Sequence, residues 1–226
     1  MSFRSTELRR SGLAILVLSL ITARVVLAQA AAPATPPPPI AFADPDAITT
    51  TFVNAPNLSG SGGGGDNNQW LKVEIHYGTV AGLKVNYLDS VQLKIWIEAR
   101  DLLAPNTNAP GQGVSLALTG SVTYINIPVG RDIYGVFYVH PSTLGRYSTE
   151  RGYTDFDRKF NIHVEAYMGG ILMIAADKQK DPDGPTWYQK LRATPGLVYR
   201  QDQCAFLVVD TDRYPAIKLP ADSSSP

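Results

Sequence analysis

The run VQLKIWIEAR at residues 91–100 decides the fold. Val91, Leu93, Ile95, Ile97 and Ala99 fall on one parity. Gln92, Lys94, Trp96, Glu98 and Arg100 fall on the other. A period of two belongs to an extended strand with one face in a core and one toward solvent; a helix repeats its apolar positions every three or four residues. WLKVEIHY at residues 70–77 repeats the pattern, with Leu71, Val73, Ile75 and Tyr77 opposite Trp70, Lys72, Glu74 and His76. Both stretches therefore read as half-buried strands.

Reading outward, further strands are expected at 121–127 (SVTYINI), 133–139 (IYGVFYV), 160–168, 171–176 (ILMIAA) and 204–209, with a weaker first strand at 48–53. In 160–168 the inward set is Phe160, Ile162, Val164 and Ala166, and Gly169-Gly170 has the form of a two-residue hairpin turn. Helical signals are confined to 141–147 and 185–191, the latter with Pro185 at a first helical position. The 19 glycines and 17 prolines lie mainly between the strands. Seven or eight antiparallel strands with one or two short helices make an all-β, immunoglobulin-like sandwich. An up-and-down barrel is the alternative. No internal repeat is present.

The ends read differently from the middle. Arg4, Arg9 and Arg10 precede a short apolar run at 11–23, and Ala28-Gln29-Ala30 offers a small-residue cleavage site. Residues 1–30 are expected to be a signal peptide, since the run is too short to span a bilayer and Arg24 ends it. An uncleaved anchor is the alternative. The arginine pair loosely fits a twin-arginine signal, although Sec export needs no such pair. Residues 31–45, opening AAPATPPPP, form an expected Pro-rich linker. The β domain is placed at 46–219 and a disordered tail at 220–226. The chain is then exported, periplasmic or extracellular, possibly at the outer membrane, with no integral membrane segment in the mature form.

Charge points away from nucleic acid: 20 basic residues balance 20 acidic ones. The first thirty residues hold four Arg and one Glu, which leaves 16 basic against 19 acidic. The only cysteine, Cys204, excludes an intramolecular disulfide, and its apolar neighbours suggest a buried structural thiol.

Gly60, Gly62 and Gly65 have the spacing of a dinucleotide-binding turn. Such a turn must follow a strand and open a helix whose N-terminus receives the pyrophosphate. Here a strand follows instead, so the stretch reads as a loop, and no nucleotide is expected. His76, His140 and His163 show no metal-ligand spacing and read as surface residues. The acidic pairs Asp155/Asp157, Asp181/Asp183 and Asp210/Asp212 lack the acidic residues of a calcium loop. Glu74, Glu98 and Glu165 lie on polar strand faces, as carboxylates do in any sandwich, and no nucleophile elbow follows a strand. No catalytic residue, metal or cofactor is expected. The candidate binding residues are Trp70 and Trp96. If their strands form a hairpin closing near Leu83, the two indoles lie opposite each other on an outward face. Alternatively, residues 185–191, with Trp187 and Tyr188, or the N-terminal segment, cover them.

WLKVEIHY (70–77), DSVQLKIWIEA (89–99), RQDQCAF (200–206) and DRYP (212–215) together resemble exported immunoglobulin-like proteins encoded near type IV pilus and secretin genes in Verrucomicrobia and relatives. The resemblance implies a non-enzymatic envelope protein that supports a pilus or secretion machine through a protein partner. It supplies no site residues. A carbohydrate-binding module and a secreted hydrolase are the other classes to be weighed.

Overall fold

Eleven strands, one helix and two 3-10 turns make up the described part of the chain. The computed structural model describes residues 38–43, 47–56, 69–79, 83–101, 103–105, 113–130, 132–147, 161–178, 184 and 186–219. The expected signal peptide, the glycine loop, Phe160, Asp155/Asp157, Asp181/Asp183, Pro185 and the tail lie outside the described residues.

The strands are β1 (Ile40–Phe42), β2 (Ile48–Asn54), β3 (Gln69–Thr79), β4 (Tyr87–Asp101), β5 (Val114–Pro128) and β6 (Asp132–Val139). After helix α1 (Pro141–Tyr147) come β7 (Ile162–Met168), β8 (Ile171–Lys178), β9 (Arg192–Pro195), β10 (Val198–Arg200) and β11 (Ala216–Ile217). They form two sheets. In the first, β1 and β2 share one side of β3, followed by β6 and β10. In the second, β9 and β11 share one side of β5, followed by β4, β7 and β8. All pairings are antiparallel except β5 with β9, which is parallel.

The alternating pattern puts its apolar parity where the sequence suggests. Leu71, Val73, Ile75 and Tyr77 of β3 and Val91, Leu93, Ile95 and Ile97 of β4 are buried in one cluster fed by both sheets. Each such side chain contributes roughly 1.5–3 kcal/mol relative to exposure. The β7–β8 hairpin turns on Gly169 and Gly170 at φ 55° and 82°, a left-handed pair that side chains resist. Helix α1 begins at Pro141, and His140 Nδ1 accepts the Ser142 amide at 3.1 Å, which satisfies one of the free amides of its first turn.

Two contacts lock the sheets together. Gly135 of β6 faces the core so closely that a Cβ there would lie 2.3 Å from Leu93 Cδ1 and 3.1 Å from Tyr124 Cε2. The Val136 amide, just beyond the end of β10, donates to the Tyr124 hydroxyl at 2.8 Å. A side chain from one sheet thus replaces a missing ladder bond in the other.

Three expectations need correction. Residues 204–209 form turns rather than a strand: Phe206 stacks on Tyr138 with centroids 4.3 Å apart, while Leu207 and Val208 are exposed. Ile40–Phe42, placed by the sequence within the expected linker 31–45, pairs with β3. The seven or eight antiparallel strands expected are eleven among the described residues, and the short β9 pairs with β5 in parallel.

The segment after β10 folds over the outer face of the first sheet and is held by Glu74. Its carboxylate accepts the Tyr214 hydroxyl at 2.7 Å and Arg213 Nε at 2.9 Å, with Lys72 Nζ at 3.4 Å. Burial pushes this carboxyl up, but Tyr214, Lys72 and Arg213 outweigh it and hold Glu74 below its ordinary value. A depressed folded pKa gives stability that is complete above the unfolded value and lost as pH falls through the folded one. Glu74→Gln is therefore expected to cost about 1 kcal/mol near neutral pH. The difference from wild type should shrink steadily below about pH 4.5. Urea melts at pH 7 and at pH 3 measure both; a cost independent of pH would remove the charge from the account.

Candidate functional site

The two tryptophans are not a cross-strand pair. Trp70 is on β3 in the first sheet and Trp96 on β4 in the second, so no β3–β4 hairpin joins them. Trp70 keeps the outward parity of its strand but is buried beneath the segment after β10, packed edge-on against His140 at 4.6 Å and Phe206 at 5.5 Å. Trp96 is half-buried against Tyr188 at 5.0 Å and His163 at 5.5 Å. The 3-10 turn Trp187–Lys190 thus provides the cover weighed in the sequence.

Register places the chemistry of the second sheet in two adjacent rows across its outer face. One row runs Pro195, Thr119, Trp96, His163, Asp177. The next runs Ser121, Lys94, Glu165, Ala175. Over the β7–β8 half lies the 3-10 turn. Beneath it His163 is only 3 % exposed, against the expectation of a surface histidine. Its Nδ1 donates to Asp177 Oδ1 at 2.8 Å, and Nε2 stands 3.5 Å from Glu165 Oε1. Tyr188 stacks flat on the imidazole at 3.8 Å and 11°. Glu165 accepts the hydroxyls of Tyr188, at 3.0 Å, and Tyr167. Trp187 Nε1 donates to Asp177 at 3.3 Å. The bond to Glu165 pushes the Tyr167 phenol up to about 12, and burial raises Tyr188. Both imidazole nitrogens face carboxylates, Nε2 makes no hydrogen bond among the described residues, and Tyr188 of the turn covers one ring face.

The β5–β9 half of the same face is open. A trough of about 510 Å³ runs there, lined by Lys94 and Trp96 on one side and by Arg200 and Gln203 on the other. Small residues form its floor: Thr119, Gly120, Ser121, Ala193, Pro195 and Gly196. Arg200 Nη2 bonds Asp202 Oδ2 at 2.8 Å, while Arg200 Nε and Asp202 Oδ1 are buried without a hydrogen-bond partner among the described residues. Trp96 stands at the boundary between the covered and open halves.

The other sequence candidates disperse. His76 stacks on Tyr134 at 4.5 Å, and its Nε2 lies 3.4 Å from Asp132. Glu98 accepts from Asn161 at 2.8 Å, apart from Glu74 on the other sheet. Asp210 approaches Lys72 at 3.7 Å. Cys204 is half-buried in a turn, and burial pushes its thiol up. Lys94 was visible only as part of a polar parity; Asp177 and Arg200 gave no separate signal.

The fold and trough define a two-sheet β protein with a half-covered outer face. Residues 43–221 match one protein-family model, and the chain belongs to that family. It is also similar to a protein of known crystal structure from Akkermansia muciniphila, with a TM-score of 0.62 and 19 % identity over 80 % of this chain and 93 % of that one. This likeness shows a shared fold. A search of curated proteins gives no match.

Proposed function

We propose that the chain is a non-enzymatic, exported, immunoglobulin-like β-sandwich of the cell envelope that binds another protein, as a component or accessory of a type IV pilus or secretion assembly. Export rests on the charged, then apolar, then small-residue pattern of residues 1–30. The sandwich reading rests on the single core shared by both sheets. Among the described residues no helix is long and apolar enough to cross a membrane.

The observation that carries the binding role is β8. It is the last strand of the second sheet and pairs only with β7 among the described strands. Its sequence is ILMIAADK, with Ile171 66 % and Leu172 48 % exposed. An apolar strand that pairs on one side only is a template for another strand. Lys178 Nζ donates to Thr50 Oγ1 at 2.6 Å and ties the far end of β8 to β2. The open template is therefore the end nearest the hairpin turn, and its occupant is an extended segment of an envelope partner.

Cross-linking and affinity capture of tagged full-length protein from native envelopes test this. Pilus or secretin components are expected with wild type, and their yield is expected to fall at least tenfold with Leu172→Lys. That change places a charge on the edge without disturbing the core. Capture of other proteins alone would defeat the assembly reading. Equal recovery by the variant would defeat the edge.

A further inference from the structure

We propose that the trough between Trp96 and Arg200 binds an acidic saccharide, a pyranose carrying a carboxylate. This goes beyond the partner-binding role, and the trough lies on the β5–β9 side of the second sheet, across from β8.

Shape comes first. The small floor residues sink a trough of about 510 Å³ between two taller walls, within the range of small-ligand sites. The floor is the regular β4–β5 ladder, a rigid support. Trp96 is fixed by Tyr188 and His163 from the covered half and contributes to the trough from its edge. A held indole is a platform for the apolar face of a sugar ring.

Charge selects among sugars. The lining contains Lys94 and Arg200 and no carboxylate. The Lys94 ammonium rests over the Tyr167 ring at 4.2 Å. Among the described residues no carboxylate lies within ion-pair distance of it. Arg200 is already paired with Asp202 at 2.8 Å, so Lys94 is the cation of the lining left to take the ligand's carboxylate. Thr119, Ser121 and Gln203 add groups suited to further hydroxyls. An acidic peptide fits less well, because the floor is a sheet face already laddered on both sides, with no backbone row to offer it.

The test is an array of uronate- and sialate-terminated oligosaccharides, each beside its methyl-ester or neutral counterpart, probed with the full-length protein. Calorimetry follows on the best acidic probe. Binding of acidic forms is expected to exceed that of the neutral counterparts at least tenfold and to weaken with salt. Lys94→Gln and Thr119→Leu, which fills the floor, should each reduce affinity about tenfold. Trp96→Ala should abolish binding, but it also removes packing from Tyr188, so the other two variants decide the matter while melting curves confirm their fold. Binding to no acidic probe, equal binding to neutral counterparts, or affinity unchanged by Lys94→Gln and Thr119→Leu would each overturn the proposal. Leu172→Lys should bind the saccharide as wild type does, which keeps this site separate from the β8 edge.

Discussion

Gly135→Ala is expected to destabilise the fold by about 1–3 kcal/mol, and Leu93→Ala by about 2–5 kcal/mol, yet the double variant should cost clearly less than their sum. The added methyl would lie 2.3 Å from Leu93 Cδ1, in a core where Leu93 and Tyr124 are fully buried. It must displace Leu93 or push β6 outward, and outward movement stretches the Val136 bond to Tyr124. Truncating Leu93 empties the space the new methyl needs. Neighbours in contact commonly couple by 0.5–3 kcal/mol, so a double-mutant cycle in urea reads the effect directly. Additivity to within about 0.5 kcal/mol would mean that Gly135 is not held small by Leu93.

His163→Ala should cost about 2–4 kcal/mol, through a cavity, a lost hydrogen bond to Asp177 and a lost stack on Tyr188. Its local consequence distinguishes it from a general core lesion. The 3-10 turn Trp187–Lys190 sits on this imidazole, so amide exchange across the turn should accelerate more than global destabilisation requires. Asp177→Asn should be milder: its side chain is 30 % exposed and the amide oxygen can still accept from Nδ1. Unchanged exchange at the turn in His163→Ala would show that other contacts hold it.

The long strands were legible because half-burial writes a period of two, and β3 and β4 follow it almost residue by residue. Residues 204–209 failed because a run of apolar residues has no period to read. Only the structure shows Phe206 turned down onto Tyr138 and Leu207 turned out. The supposed tryptophan pair failed on topology. Consecutive strands usually pair, but β3 and β4 enter different sheets. His163 and Glu165 had the correct parity for an outward face, yet they are buried by a turn some twenty residues further on. The trough was illegible for a related reason: its walls come from β4 and from residues after β9, and its concavity lies in what small side chains leave out. Strand β1, three residues behind a proline run, is too short to carry a pattern.

The placing of the last strands has a consequence in time. β9 and β11 add to β5, and β10 adds to β6, so residues 192–217 close the seam between the two sheets. A chain emerging N-terminus first can assemble β1 to β8 while that seam stands open. Until the final segment arrives, the outer sides of β5 and β6 are bare, as an aggregation-prone intermediate would have them. Completion must then wait until residues 192–217 have been delivered, because the strands that stitch the halves follow β1 to β8 in the chain.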